Sequence, residues 1–326
     1  MEWRKRVRFL AAVATAIALG GKAVHANESY PAARPIEFVV PYAPGGASDI
    51  IVRALVPHLQ KHLGGASIVV INRAGANTAI AATQLARATP DGHTIMLADA
   101  ALVLNAAIRT TSPGYDLDKD FSMVTQIGAA PLVLFVPDSG ARNLAGFLEQ
   151  GKARGANIAN AGPGSLGHLA AELMRLRTKA SLVSIPYRGS ALALNETIAG
   201  QVDATFTSTA SGMPLVKTGR LRALAVAAPQ PIAAYPEIPT FEQLGVPGVQ
   251  AINWWGVMAP AGLPQDIAAK LAQAIRLAVR EPALAERFEA LGIEPTLRDA
   301  KGFSALMKDD LTHWRGVVQR ANIKVD

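Results

Sequence analysis

The chain has 326 residues, half of them apolar, with only 6% aromatics and no cysteine. Such a composition excludes a disordered chain, and the missing thiols exclude disulfides, thiolate chemistry and a lipidated lipobox cysteine. The net charge of +7 falls to about +3 once residues 1–26 are set aside, because they hold five Lys/Arg and one Glu. No Lys/Arg run is interleaved with aromatics, which speaks against nucleic acid as a partner.

The first residues read as an export signal. Arg4, Lys5, Arg6 and Arg8 precede the short apolar run Phe9 to Leu19, and Val24-His25-Ala26 fits a cleavage site. A membrane anchor is the weaker reading, because the run is short and Gly20, Gly21 and Lys22 interrupt it. The expected product is a periplasmic protein starting at Asn27, large enough for two cores.

Strand-like and helix-like runs then alternate. Ile36–Tyr42 is a continuous apolar stretch, as expected of a strand covered on both faces. Ser48–Leu63 reads as a helix capped by Ser48 or Asp49 and stopped by Gly64-Gly65. A strand at Ser67–Asn72, a helix at Asn77–Ala88 and a strand at Thr94–Ala98 follow. Repeated β-α-β units imply a parallel sheet with right-handed crossovers.

The rhythm breaks at Met123–Pro137, a run too long for one sheet, with Gly128 and Pro131 inside it. A strand passing from one sheet into another would look like this. Alternation resumes with helices at Asn143–Arg154, Leu166–Arg177, Ala191–Ala199 and Ser211–Thr218. The strands between and after them are Asn157–Ala161, Ser181–Pro186, Ala204–Thr207 and Leu221–Ala227. After Pro-rich sequence, Ala251–Pro260 reads as a second long strand, and helices at Gln265–Arg280, Pro282–Leu291 and Lys301–Ala321 close the chain. The expected fold is α/β, with two parallel-rich sheets in two lobes joined by a double crossover hinge. The expected division is 27–128 with 251–310 for one lobe, and 129–250 with 311–326 for the other.

Similar loops fall at several places where a strand hands over to a helix. The first, Pro41-Tyr42-Ala43-Pro44-Gly45-Gly46-Ala47-Ser48-Asp49, combines adjacent glycines with a helix start. Gly lets backbone amides approach a ligand, and the helix dipole points its positive end there, so an anion is held without Lys or Arg. The second runs from Ala161 to His168 and contains a literal G-x-G-x-x-G at Gly162, Gly164 and Gly167. A dinucleotide site would need an acid at the end of the next strand, where Ile185-Pro186-Tyr187-Arg188 stands, so no cofactor is expected. The others are Arg73–Thr78, Asp99-Ala100-Ala101, and the pair Tyr187–Ser190 and Phe206–Thr209.

Other chemistry is weaker. Ser165 beside His168 could suggest a hydrolase, but Pro163 stands where the nucleophile elbow needs Gly, and no acid orients the imidazole. His168 and Glu172, and His58 and His62, share helix faces without a third metal ligand, and the latter pair reads as solvated surface. Of Trp254 and Trp255, one ring is expected in the hinge core and the other at the cleft. Glu286, Arg287 and Glu289 make an exposed helix face.

The stretches YPAARPIEFVVPYAPGGASDIIVRAL, NRAGANTAIAATQLARATPDGHTIML, AGPGSLGHLAAELM, IPYRGSALALNETIAGQVDATF, GRLRALAV and WWGVMAPAGLP resemble the Bug receptors, the substrate-binding proteins of tripartite tricarboxylate transporters. The resemblance covers Tyr30 to about Asp326. It implies a two-lobed, type II-like periplasmic binding protein, a clamshell that closes on a small carboxylate and hands it to membrane permease subunits, as a monomer and without catalysis. Use of the same fold for sensing without transport is the alternative. Carried over by position, Gly46, Ala47 and Ser165 would hold the carboxylate. Tyr42, Gly45, Asp49, Asn77, Asp99, Ala100, Gly164, His168, Tyr187, Gly189 and Thr207 would complete the pocket. The resemblance usually has a small hydroxyl residue where Asp99 stands and often an acid where Thr207 stands. An ionised Asp99 would repel a second carboxylate and welcome an amine, a hydroxyl or a protonated partner, which points to a ligand with one carboxylate; the alternative is that Asp99 turns away and caps a helix.

Overall fold

The computed structural model describes residues 30–32, 34–109 and 112–323; the export signal expected at 1–26 lies outside them. The first lobe opens with β1 (Ile36–Val40), α1 (Ala47–His62), β2 (Ile68–Asn72), α2 (Ala79–Ala86), β3 (Thr94–Asp99) and α3 (Ala100–Ile108). β4 (Phe121–Pro137) leads into the second lobe. There the chain forms α4 (Leu144–Arg154), β5 (Ala156–Asn160), α5 (Leu166–Thr178), β6 (Leu182–Pro186), α6 (Ser190–Ile198), β7 (Ala204–Ser208), α7 (Thr209–Lys217) and β8 (Leu221–Val226). It returns through β9 (Ile252–Pro260) to α8 (Gln265–Val279), α9 (Pro282–Ala290) and α10 (Ala300–Ala321).

The strand order is β2-β1-β3-β9-β4 in one lobe and β6-β5-β7-β4-β8 in the other, so β4 belongs to both. Within each sheet the three βα strands are parallel, and one crossing strand runs against them: β9 against β3, and β4 against β7. Apolar sequence drives this layering. In β1 every residue but Glu37 is buried, because helices cover both faces. In α1, Ile51, Val52, Leu55, Val56 and Leu59 recur at helical spacing and enter a core with Leu271, Ile275 and Ala278 of α8. Each such side chain removed from water is worth about 1.5–3 kcal/mol.

Three elements tie the lobes together. β4 carries Gly128 mid-strand because a Cβ there would meet Ile293 Cγ2 at 2.7 Å. The segment holding Ile293 covers the outer edge of β4 through Ala129–Glu294 backbone bonds of 2.8 and 2.9 Å, and Gln126 N donates to Arg298 O at 3.1 Å. An open strand edge is thereby closed. α10 packs Phe303 and Met307 beside Trp254 in the first lobe, and Trp314, Val317 and Val318 into the core of the second. α3 is the third tie: Leu104, Ala107 and Ile108 join that same second-lobe core.

No helix was expected at 100–108. Its sequence shows no amphipathic period because seven of its nine residues are buried, leaving no solvent face to pattern. Most other boundaries shift by one or two residues, and helices α2 and α7 begin two residues from the expected starts. The N-cap of α1 is Gly46 rather than Ser48 or Asp49, because the glycine pair lets the helix begin earlier. Trp254 and Trp255 are both buried, at 1% and 4% exposure, so neither ring lies open at a cleft edge.

Gly292 has φ +68, and a Cβ there would overlap Thr209 Oγ1 across the lobe boundary. Gly262 has φ +84 with nothing nearby, so it isolates backbone strain. Gly262→Ala should cost about 1–2 kcal/mol. Gly292→Ala should cost clearly more in thermal denaturation, because the interlobe contact is also disturbed. Equal losses would show that the Gly292–Thr209 contact contributes nothing.

Candidate functional site

Direction of travel along β4 sets the geometry. It runs with β1–β3 in the first lobe and against β5–β7 in the second, so the carboxyl ends of both sets of strands point at the crossing. Asp99 at the end of β3 pairs with Trp255, which pairs with Gly128 of β4. Ser208 at the end of β7 pairs with Leu132 of β4. Four residues of strand separate the two levels, at most about 13 Å. The loops after β1, β2 and β3 thus face the crossing from one side and those after β5, β6 and β7 from the other.

In the first lobe, residues 43–47 are exposed, and Gly45 has φ +85. Asp49 lies beneath them rather than facing out. Its Oδ2 accepts from Gly45 N at 2.9 Å and from Arg53 Nε at 2.9 Å, and its Oδ1 accepts from Asn72 Nδ2 at 2.9 Å. The Arg53 hydrogen bond, with help from Gly45 and Asn72, holds the Asp49 carboxyl down to about 2. The first bond formed into α1 is Ile50 N to Gly46 O, so the amides of Gly46, Ala47 and Ser48 have no protein acceptor among the described residues. Ser48 Oγ accepts from Trp255 Nε1 at 3.2 Å, which fastens the loop to the returning strand.

The neighbouring loops are fixed from below. Ala76, Asn77 and Thr78 are all left-handed, with φ of 47, 49 and 78. Buried Asn105 of α3 locks them by donating to Ala76 O and Asn77 O at 3.1 and 3.2 Å. Thr78 Oγ1 is buried without a partner. Asp99 caps α3, accepting from Ala101 N at 3.2 Å, while its Oδ2 accepts from Tyr42 Oη at 2.7 Å. Burial pushes Asp99 up to about 6, against the opposing pull of Tyr42 and Ala101. The same burial, with Asp99 nearby, raises Tyr42 well above the ordinary phenol range. Ala100 N donates to Asn253 Oδ1 at 3.3 Å and is therefore already occupied.

In the second lobe, Gly164 has φ +75, and a Cβ there would lie 2.8 Å from Ile108 Cδ1 of α3. Only glycine lets these two lobes meet here. Ser165 caps α5, its Oγ accepting from His168 N at 3.3 Å, and His168 Nδ1 accepts from Gly164 N at 3.0 Å. The imidazole is thus a neutral loop brace carrying its proton on Nε2, and burial lowers its pKa. Ser165 Oγ and the ring form no nucleophile–base pair, and Glu172 is engaged with Arg175 at 2.8 Å. The amides of Leu166 and Gly167 remain at the start of α5 without a protein acceptor among the described residues. Gly189, with φ +109, opens α6 without a side-chain cap. Tyr187 is half-buried, its N donating to Asn160 O at 2.9 Å. Thr207 lies inside β7 opposite Val133 and is buried, not on a loop, because the strand runs one residue further than expected.

Asn105 and Asn253 escaped the sequence reading, and Ser48, Thr78 and Thr209 lay inside the expected loops without being named as site residues; Thr209 Oγ1 is also buried without a partner. Asn253 and Trp255 alternate along β9 onto the face towards the loops, a signal available in NWW once that strand is placed. His58 and His62 are not solvated surface. Their Nδ1 and Nε2 lie 2.8 and 2.7 Å from the Glu281 carboxylate, with Lys61 Nζ at 3.0 Å, because the start of α9 docks on α1 there. The His58 and Lys61 hydrogen bonds hold Glu281 down to about 2.

Comparison with known proteins gives one answer. The family described as tripartite tricarboxylate transporter family receptor matches residues 51–323. Protein BugT of Bordetella pertussis is 34% identical over 324 residues, covering 98% of each chain. The solved structure of periplasmic binding protein BugD is 28% identical with a TM-score of 0.78, over 90% of this chain and 99% of that one. MatC of Rhodopseudomonas palustris with bound malate is 29% identical with a TM-score of 0.78, over 88% of this chain and 99% of that one. The chain therefore belongs to the tripartite tricarboxylate transporter receptor family, the Bug receptors.

Proposed function

We propose that this protein is a non-catalytic periplasmic receptor that captures a small carboxylate between its lobes and delivers it to the permease of a tripartite-type transporter. The observation that carries the reading is the unpartnered amide set at the starts of α1 and α5, aimed at one gap from opposite lobes. Amides at a helix start are a ready anion site. Gly46, Ala47 and Ser48 grip from one side; Leu166, Gly167 and the Ser165 hydroxyl grip from the other. The malate bound in MatC supports a small organic acid as ligand class. A hydrolase reading has no support, because Ser165 and His168 are each spent on backbone amides.

Selectivity falls to Tyr42 and Asp99. Tyr42 donates its hydroxyl hydrogen bond to Asp99, so towards a ligand the phenol oxygen can act only as an acceptor. The reading is a monocarboxylate with a hydroxyl or amine near its acid group. Asp99 opposes a second carboxylate at that place.

Ala47 is exposed at the first turn of α1, so Ala47→Glu should fold at least as stably as wild type. It should weaken carboxylate binding by about tenfold or more, because a fixed anion then sits at the amides. Calorimetry with 2-hydroxy monocarboxylates, their deoxy analogues and citrate checks both points. Unchanged affinity in the variant would refute the amide grip; tight citrate with silent monocarboxylates would refute the single-carboxylate reading.

Asp99 gives a pH signature. Its folded value is above the ordinary 3.8, so the folded state holds the proton more tightly. The resulting stabilisation is full below about pH 4 and is lost as pH rises through about 6. Relative to Asp99→Asn, wild type should lose up to about 3 kcal/mol between those limits. A constant difference across pH 4 to 7 in denaturant titrations would show that Asp99 keeps an ordinary pKa.

A further inference from the structure

A cavity of about 730 Å³ lies away from the carboxylate loops, along the outer edge of β4 at the hinge. Its walls come from both lobes: Gln126 and Ile293 from the first, Pro229 and Gln250 from the second, with Ile252 of β9 and Asp310 of α10 between them. Most of the lining is apolar, and Trp254 and Trp314 are among its residues.

One polar atom in this wall is unexplained. Gln126 is 2% exposed, and its Oε1 has no hydrogen-bond partner. Its Nε2 points to Gly128 O at 3.4 Å, and the reversed amide would set two carbonyl oxygens against each other. The orphan is therefore an acceptor, and leaving it unmet costs free energy. Its surroundings are acidic. Glu289, Glu294 and Asp310 line the cavity against Arg298, and neither Glu289, Glu294 nor Arg298 forms an ion pair among the described residues. Asp310 is held in place by Trp254 Nε1, which donates to its Oδ2 at 2.6 Å.

We propose that this hinge cavity is a second binding site, for an organic amine with an apolar body. The ammonium group donates to Gln126 Oε1 and is attracted by the acidic lining, while the body packs along the proline-rich wall. Its chemistry is the reverse of the carboxylate grip: acceptors and negative charge in place of amide donors. The site stands on its own observations and does not depend on which acid the cleft takes.

The test uses the full mature protein with 2-phenylethylamine as the probe and 3-phenylpropionate as its oppositely charged control. Calorimetry and thermal shift should show saturable binding of the amine at one site per chain and a rise in Tm; the acid should neither bind there nor displace it. Ala233 is exposed at the cavity rim, so Ala233→Trp should fold normally and weaken amine binding by about tenfold or more. Gln126→Leu should do the same while keeping or raising the Tm of the free protein, because it removes the orphan acceptor. Ala47→Glu should leave amine binding intact. No saturable binding up to about 10 mM, at the weak end of specific affinity, would overturn the proposal. So would binding that survives Ala233→Trp, or binding that Ala47→Glu removes.

Discussion

One strand shared by two sheets governs this molecule. β4 leaves the first lobe running in the direction of β1–β3, antiparallel to β9 beside it, and enters the second antiparallel to β7, so every βα loop of both lobes faces the same crossing. Any helix that follows such a loop points its amide end inward. A fold with separate sheets would have to orient its lobes by surface contact alone. Here the covalent strand does so, and β9 beside it doubles the connection. The helix-start amides face one another because of that topology, and no charged side chain had to be placed to achieve it.

Acidic and amide side chains then hold the loops still. Asp49 receives three donors and Asp99 two, and neither carboxylate is solvent-facing. Asn105 secures three successive left-handed residues, a conformation that costs about 1–3 kcal/mol at each position and persists only where the surroundings impose it. His168 secures Gly164 in the same way. Each restraint removes freedom that binding would otherwise have to remove, so the loops of the proposed site are ordered in advance.

The strand–loop–helix rhythm was legible because β1 and its neighbours are continuous apolar runs interrupted by Gly and Pro, and because MVTQIGAAPLVLFVP is too long for one sheet. The glycine loops were legible for the same reason, and the structure sets them at the carboxyl ends of the strands. What sequence periodicity could not show is burial from two directions. α3 lacks a polar stripe because both lobes cover it, so it read as loop. The roles of Asp49 and Asp99 were ambiguous because an acid at a helix start looks the same whether it faces a ligand or its own loop. His58 and His62 read as surface because their partner, Glu281, lies 219 or more residues away.

Neutral donors suit a receptor that must also release its ligand. A buried Arg–carboxylate pair makes a strong, directional contact, but both charges must be stripped of water on closing, and the guanidinium is left exposed or unpaired on opening. Backbone amides avoid that second problem. On the proposed reading, the donors of Gly46 and Ala47 return to water at little cost when the lobes part, since both residues are exposed. Affinity can then be built from several modest bonds that break together as one lobe swings, rather than from one ion pair that must be pulled apart. Arg53, in the helix that follows the first loop, is turned to Asp49 and engages the protein's own network. On the proposed reading, the electrostatic attraction a ligand meets is that of helix ends, directional and short-ranged.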